Sequence, residues 1–281
     1  FGLKEIDFYR IADAFKETPG VFVQKTGQGQ GSPFIRGFTG YRNLLMIDGV
    51  RFNNSTFRSG PNQYWATIDP LFVDRVDVLR GSGSNLYGSD AVGGVVNVRT
   101  KSPGTWGEGL EWGGEAYSRV ALAEQARVAH LEFEGSYKDK LGWIFGGSFK
   151  DYDDFEGGHE TGTVKESAYQ EAAWNAKLQF RPLEDHELTL YYDFFDEGDS
   201  PRTEQTVFAI PFEGSGVGTD LRRDLDQERQ LGYARYAIKN IQSFVSEVSV
   251  TASWQKVKEQ QHRKRISGGT TRKENAGFQD D

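Results

Sequence analysis

Hydrophobic and polar residues alternate along much of the chain beyond residue 104. The period of two is clearest at 129–137, 174–180, 188–194 and 248–254. Each segment carries small, aliphatic or aromatic side chains at every second position and mostly polar ones between them, which is typical of half-buried β-strands. Runs of about ten residues with one apolar face also match the tilted strands that cross a bilayer.

The connections between these segments differ in length. Four are short (123–125, 139–140, 182–185 and 240–243) and two are long (151–171 and 196–226). Short turns on one side and long loops on the other are typical of outer-membrane β-barrels. The pattern predicts about seven strands. An open sheet of that size would leave edges that lipid does not tolerate, so we expect only part of a barrel.

Residues 1–103 follow a different, glycine-rich pattern. Phe8, Ile11, Ala12 and Phe15 recur at helical spacing, and Asp7 before them predicts an N-cap. A strand is predicted at 21–25, followed by a glycine-rich loop. The sequence therefore indicates a small mixed α/β unit ahead of the long strands.

Three further local signals lie in this unit. Asp48 and Gly49 separate two apolar runs, which predicts a β-hairpin over 44–52. Asp69 and Pro70 predict the N-cap and first turn of a short helix. Residues 75–99 predict a strand, a glycine-rich loop and a second strand, because valines recur at every second position at both ends of the segment.

Segments 34–38, 44–51 and 75–99 together resemble the plug domain of TonB-dependent outer-membrane receptors. They read FIRGF, LLMIDGVR and RVDVLRGSGSNLYGSDAVGGVVNVR, in the order in which the family has them. The resemblance implies a mainly β fold. A small mixed α/β plug domain (1–103) is followed by the N-terminal portion of an antiparallel transmembrane β-barrel (104–281), which has about 22 strands in the whole family barrel.

The resemblance also implies a function in the bacterial cell outer membrane. We expect a receptor for the energised uptake of a scarce solute, a small-molecule chelate such as a ferric siderophore or haem. Cobalamin and glycans are alternative substrates. Expected partners are outer-membrane lipid and lipopolysaccharide, and the TonB energy-coupling protein acting through an N-terminal box that is not visible after Phe1.

Two other classes of protein remain open at this point. One is a passive outer-membrane porin or adhesin with a plug-like domain. The other is a soluble β-rich binding module, in which the apolar faces of 174–180 and 188–194 would pack against a second sheet. A formal net charge of −8 argues against nucleic-acid binding. The 281 residues include no cysteine, so disulfides and thiolate metal sites are excluded.

Arg36 and Arg80, each followed by glycine, correspond to two plug arginines of the family. The resemblance implies that they latch the plug to barrel glutamates, which we expect on later strands. A guanidinium in a poorly hydrated lumen needs such a carboxylate partner. The alternative is pairing within the plug, with Asp74 or Asp77.

Two loops of the plug are candidate ligand contacts, because the resemblance places them at the face that meets the outside. They are 27–32 and 51–63, and arginines with aromatics in the second loop suit an anionic or aromatic chelate. The candidate residues are Arg51, Phe52, Phe57, Arg58, Asn62 and Gln63.

Other chemistry has little support in the sequence. Residues 81–88 lack the Gly-Lys-Ser/Thr ending of a phosphate-binding loop, and no arrangement predicts an enzyme. No cofactor is expected. Four carboxylates at Asp151, Asp153, Asp154 and Glu156 form a candidate Ca²⁺ site in an extracellular loop, although such runs also occur as solvated loops.

Overall fold

The computed structural model describes residues 10–16, 18–25, 27–53, 60, 64–104, 106–122, 125–158, 161–209, 216–241 and 244–280. Its strands form a two-stranded, a four-stranded and an eight-stranded sheet. They are β1 Val21–Gln24, β2 Ser32–Ile35, β3 Asn43–Ile47, β4 Val50–Arg51, β5 Val73–Arg80, β6 Gly94–Thr100, β7 Leu110–Ala121, β8 Ala126–Tyr137, β9 Leu141–Tyr152, β10 Tyr169–Phe180, β11 His186–Pro201, β12 Asp220–Ile238, β13 Val248–Ser267 and β14 Thr270–Asp280.

In the part of the chain that the structure describes, helices are few and short. One α-helix, α1, spans Ser84–Tyr87 in the loop between β5 and β6, and 3₁₀ turns lie at Ile11–Phe15, Gly40–Arg42, Tyr64–Thr67, Pro70–Phe72 and Thr203–Gln205. Among the described residues, no helix is long and apolar enough to cross a membrane.

The four-stranded sheet has the order β4-β3-β6-β5, with β3 and β6 parallel and the other pairs antiparallel. The predicted hairpin is confirmed, because Asp48 and Gly49 connect β3 to β4 with φ of +50° and +81°. Two positive φ values in a two-residue turn match the right-handed twist of the paired strands. β3 is buried at all five positions and forms the centre of this unit, which we call the plug unit.

Other local predictions in the plug unit are also confirmed. Asp69 Oδ1 accepts a hydrogen bond of 2.9 Å from Leu71 N and caps the turn that begins at Pro70. β1 begins at Val21 as predicted and pairs with β2. Ile11, Ala12 and Phe15 are buried on a 3₁₀ turn. Asp7 and Phe8 lie outside the described residues.

The eight-stranded sheet, which we call the wall, runs β14-β13-β12-β11-β10-β9-β8-β7 with every neighbouring pair antiparallel. It has one strand more than the predicted seven or so. β14 shows almost no apolar alternation, since Ala276 and Phe278 are its only hydrophobic side chains. The long connections 153–168 and 202–219 lie at one end, which corresponds to the extracellular end of a barrel. The short connections between β7 and β8 and between β13 and β14 lie at that end too, so the predicted separation of short turns from long loops is wrong for these two connections.

The apolar side chains of the wall lie on its outer face, where they are exposed. Leu131 is 67% exposed and Val250 is 71% exposed, and the same face includes Phe133, Phe145, Phe149, Trp174, Leu178, Phe180, Leu190 and Trp254. The alternating polar residues point inward and are buried against the plug unit. This arrangement is the reverse of a soluble β-sandwich, whose apolar faces pack together, and is the pattern of a strand in lipid. The soluble-module alternative is therefore not supported.

Candidate functional site between the plug unit and the wall

Buried polar side chains join the plug unit to the inner face of the wall at three levels. The first level lies toward the extracellular end. Arg10 is 1% exposed, and its Nη2 lies 2.6 Å from Glu171 Oε1 on β10 and 3.1 Å from Glu197 Oε1 on β11. Its Nη1 donates to Ala66 O at 3.2 Å. One plug arginine thus meets two wall glutamates in a buried place.

Asp69 forms the second half of this level. Lys150 on β9 places Nζ 2.8 Å from Asp69 Oδ1 and 3.4 Å from Glu171 Oε2, so the lysine links the two carboxylates. Ser148, on the same face of β9, donates to the other oxygen of Asp69. Asp69 therefore caps a plug turn and binds the wall at the same time.

Arg229 on β12 defines the middle level. Its Nη1 and Nη2 lie 2.6 and 2.8 Å from the two carboxylate oxygens of Asp193 on β11, which is a bidentate pair within the wall. Its Nε and Nη2 also donate to Thr67 O of the plug unit at 3.2 and 3.1 Å. The wall thus presents a pre-oriented guanidinium to a plug carbonyl.

Asp48, in the hairpin turn, forms the third level. Lys177 Nζ on β10 lies 3.2 Å from Asp48 Oδ2, and Tyr233 on β12 donates to the same oxygen at 2.9 Å. Thr100 N donates to Oδ1 at 3.0 Å, and Arg235 donates to the backbone carbonyl of Asp48. A single plug turn therefore contacts two strands of the wall.

Both plug aspartates remain charged despite their burial. Burial raises the pKa of Asp48, but the Lys177 ammonium and hydrogen bonds from Thr100 and Tyr233 outweigh it, so the pKa lies below its usual range. For Asp69, burial again opposes ionisation, and Lys150 and Ser148 lower the pKa more strongly. A buried carboxylate needs such partners, because an unpaired one would be costly.

Apolar packing supplements these polar contacts. Phe72 of the plug unit packs against Ala173 and Phe195 of the wall, and its ring centroid lies 5.3 Å from that of His130. Gly146 on β9 provides the room, because a Cβ there would lie 2.7 Å from the Phe72 ring. The interface therefore combines a few tight apolar contacts with charged groups. Water is able to solvate these charged groups once the plug unit and the wall separate.

The two predicted latch arginines lie on the exposed surface of the plug unit. Arg80 Nη1 donates to Pro19 O at 2.8 Å, and Arg36 adopts a positive φ of 53°. Within the described part of the chain, neither has a carboxylate at ion-pair distance. The alternative partner Asp77 lies 3.4 Å from Arg75 Nε and 3.2 Å from Arg99 Nε instead.

The predicted ligand residues divide into two groups. Arg51 Nη1 lies 2.8 Å from Asp90 Oδ2, and Phe52 is buried with its ring 5.7 Å from the Arg229 guanidinium. Both side chains have partners inside the molecule, which a ligand would have to displace. Phe57, Arg58, Asn62 and Gln63 lie outside the described residues. The loop that begins at Gly27 approaches Pro201, at the extracellular end of β11.

The four acidic residues at 151–156 have separate partners. Asp151 and Asp153 lie 3.1 and 3.4 Å from two nitrogens of Arg127. Asp154 accepts from Ser167 N at 2.7 Å, and Glu156 accepts from Thr163 at 2.7 Å. Among the described residues, no group of three or more acidic or histidine side chains is placed to hold a metal ion.

The sequence prediction missed the wall side of the interface. The polar positions of the alternating strands include four charged residues of this interface: Lys150, Glu171, Lys177 and Arg229. A charged side chain at a buried position of this kind indicates a polar partner on the inner face of the wall. Their plug partners are far away in sequence, so the pairings themselves had no local signal.

Comparison with known proteins identifies the first domain directly. A family model described as the TonB-dependent receptor plug domain matches residues 3–95. The vitamin B12 transporter BtuB of Vibrio vulnificus is 39% identical over 103 residues, which are 36% of this chain and 16% of that protein. An iron-regulated outer membrane virulence protein of Vibrio cholerae serotype O1 is 30% identical over 199 residues, 66% of this chain and 28% of that protein.

The wall has counterparts among solved structures. The copper transporter OprC superposes with a TM-score of 0.71 at 20% identity, over 90% of this chain and 36% of OprC. At that identity the likeness concerns the fold. This chain thus spans between 16% and 36% of the length of these three proteins.

Fold and site together define a plug domain that lies against a sheet of antiparallel strands of the kind found in outer-membrane barrels. Residues 3–95 thus match the plug domain of the TonB-dependent receptors, and the chain as a whole resembles outer-membrane receptors and transporters.

Proposed function

We propose that this chain is the plug and the first part of the barrel of a receptor that imports a scarce solute by energised displacement of the plug. The observation that carries the proposal is the three-level polar interface. Separating buried charged partners costs little free energy if water replaces each partner. Separating a large apolar surface costs more, because the surface becomes exposed to water. An interface of this kind holds the plug in place and lets it yield to a directed pull.

The proposed energy source is TonB, and the proposed substrate is a ferric chelate such as a siderophore or haem. The iron-regulated relative from Vibrio cholerae supports iron because its match extends beyond the plug into the wall. The match to the B12 transporter covers 36% of this chain and makes cobalamin the second candidate.

The test is iron accumulation by cells that express the complete receptor. Radiolabelled iron is supplied as siderophore or haem, with and without a protonophore, and a strain without the receptor is the control. We expect receptor-dependent accumulation that collapses when the protonophore is added.

Two results would contradict the proposal in different ways. Accumulation that the protonophore leaves unchanged would indicate a passive pore. Accumulation of cobalamin but of no iron source would overturn iron as the substrate while leaving energised transport in place.

A further inference from the structure

Five charged side chains at the first level of the interface form one buried group. Arg10 and Asp69 belong to the plug unit, and Lys150, Glu171 and Glu197 lie on β9, β10 and β11. Each of the five is at most 4% exposed. We call these five residues the buried charge cluster. Its two cations face three carboxylates, so the cluster carries one surplus negative charge if every carboxylate is ionised.

Two of the three carboxylates have close partners on both oxygens. Asp69 has the Lys150 ammonium 2.8 Å from Oδ1, and Ser148 donates to its other oxygen. Glu171 has Lys150 3.4 Å from Oε2 and the Arg10 guanidinium 2.6 Å from Oε1. Charged partners at these distances stabilise the ionised form of a carboxylate. Asp69 and Glu171 together therefore balance the two cations.

Glu197 is the carboxylate that is left over. It lies directly opposite Glu171 in the register of β10 and β11, where like charges destabilise a sheet. Its cation partner is Arg10 Nη2, 3.1 Å from Oε1, but the same nitrogen is closer to Glu171. Its second oxygen, Oε2, is buried and accepts no hydrogen bond from the described residues. A second ionised glutamate in this place is costly, and a proton on Glu197 removes that cost.

The neighbouring wall strands bring no further positive charge to Glu197. The rings of Tyr152 on β9 and Tyr169 on β10 are buried and stacked 4.4 Å apart, and phenols are neutral near pH 7. Gln227 on β12 lies directly opposite Glu197 and donates to Glu259 of β13 at 2.9 Å. Among the described residues of the wall, no cation other than Lys150 belongs to this group.

The plug side closes the group off from the outside. Asp13, on the adjacent 3₁₀ turn, pairs with Lys16 and Lys25 at 2.8 and 2.7 Å. These lysines are 56% and 29% exposed, so solvent screens their charge. A Cβ at Gly29 would collide with Glu197 Oε1, so the plug backbone lies directly on the carboxyl group. Water reaches Glu197 only when the plug moves away.

We propose that Glu197 holds a proton while the plug is docked and releases it to water when the plug opens. In the docked state the protonated carboxyl group is neutral, and the remaining charges of the buried charge cluster balance. In the open state water solvates Glu197, and a solvated glutamate ionises with a pKa of about 4.3. The docked state thus binds one proton more than the open state above that pH, so opening becomes easier as the pH rises. This proton-linked latch goes beyond the proposed function, because it holds whichever solute the receptor imports.

The test is the pH dependence of plug opening in the complete, purified receptor. Hydrogen exchange of the β3 and β6 amides is measured from about pH 5 to about pH 8, above the pKa of a solvated glutamate, and corrected for the intrinsic exchange rate at each pH. Glu197→Gln imitates the protonated carboxyl group, and Glu171→Gln removes the surplus charge. Glu187→Gln is the matched control, because Glu187 lies on the same strand but pairs with Arg181 and Lys239.

The measured quantity is the equilibrium constant for opening, divided by that of Glu197→Gln at the same pH. We expect this ratio to rise by about tenfold or more from pH 5 to pH 8 in the unmodified receptor and in Glu187→Gln, the effect of releasing one proton. In Glu171→Gln the ratio should stay constant, because the cluster is then balanced with Glu197 ionised. His130, which also faces the plug, is present in every variant, so the ratio isolates Glu197.

Two results would overturn the proposal. A ratio that does not change with pH in the unmodified receptor would show that Glu197 is already ionised in the docked state. A full rise in Glu171→Gln would show that surplus charge is not the cause. Should Glu197→Gln fail to fold, the unmodified receptor is compared directly with Glu171→Gln, and the same rise is expected. Because no solute is present, the uptake experiment tests the proposed function separately.

Discussion

Lys177 is the residue whose removal tests the buried interface most simply. It is 3% exposed and neutralises Asp48, which has no other side-chain cation at ion-pair distance in the described residues. Its Nζ also donates to Thr100 Oγ1 at 2.5 Å and to Ser102 at 3.3 Å. The lysine therefore holds both the hairpin turn and the end of β6 to the wall.

Lys177→Met should destabilise the plug by about 3 kcal/mol, because it leaves a buried carboxylate without its cation. Hydrogen exchange of β3 and β6 amides in the complete receptor measures this free energy of opening. Lys140→Met, in an exposed turn, is the control and should change it by less than about 0.5 kcal/mol. Equal effects of the two substitutions would contradict the assigned role of Lys177.

Asp69 gives the interface a predictable dependence on pH. Its pKa lies below the usual range, so its ionised form stabilises the plug at and above the unfolded-state pKa of about 4. That stabilisation is lost as the pH falls through the folded-state pKa. The opening free energy should therefore decrease steeply below about pH 4. In the Asp69→Asn variant, the opening free energy should be lower at pH 7 than in the unmodified receptor and should decrease less on acidification. Parallel curves of opening free energy against pH for the two proteins would contradict the prediction.

At the scale of elements, the plug approaches the wall through a glycine on β9. Gly146 faces the Phe72 ring, whereas Gly147 lies on the outer face, where an added methyl group would meet no atom within 4 Å. Neighbouring glycines on opposite faces of one strand thus offer a matched comparison. The close approach exists only on the inner face.

Gly146→Ala should weaken plug docking by about 1–3 kcal/mol, because the added methyl group meets the Phe72 ring and forces it to move. Gly147→Ala should be nearly neutral. The measurement is again the opening free energy of the plug amides. If Phe72→Leu in the Gly146→Ala background fails to recover part of the loss, steric contact is not the cause.

Local elements were largely predictable and long-range pairings were not. Asp48-Gly49 and Asp69-Pro70 carry their turn and cap chemistry in adjacent residues, so the sequence alone located them. α1 was missed because four residues between glycines show no periodicity. The pairs Arg10–Glu171 and Asp48–Lys177 join residues more than a hundred positions apart, which only the tertiary structure brings together.

At the scale of the whole molecule, the outer face of the wall is the membrane-contacting surface. Its exposed apolar side chains and the buried polar ones on the inner face follow from the same alternation. An apolar belt that faces lipid differs from an exposed patch on a water-soluble protein, because inserting a charge into it is costly.

Leu131→Arg should destabilise the barrel by about 2–4 kcal/mol, as a charge deep in the lipid layer does. Leu131 is 67% exposed, and Leu183, in a turn outside the belt, is 64% exposed. Leu183→Arg therefore makes the same change at similar exposure and should be nearly neutral. Chemical denaturation of the complete receptor in lipid vesicles provides the measurement. Equal effects would indicate that the belt is not in lipid.

The central claim is that buried charged contacts anchor the plug to the wall, and a double-mutant cycle on Arg10 and Glu171 tests it most directly. The opening free energy of the plug amides is measured for Arg10→Met, Glu171→Gln and the double variant. We predict a coupling energy of at least about 1 kcal/mol, as expected for groups in direct contact. If the effects of the two single substitutions sum to the effect of the double variant within about 0.5 kcal/mol, the contact does not anchor the plug. That result would contradict the account.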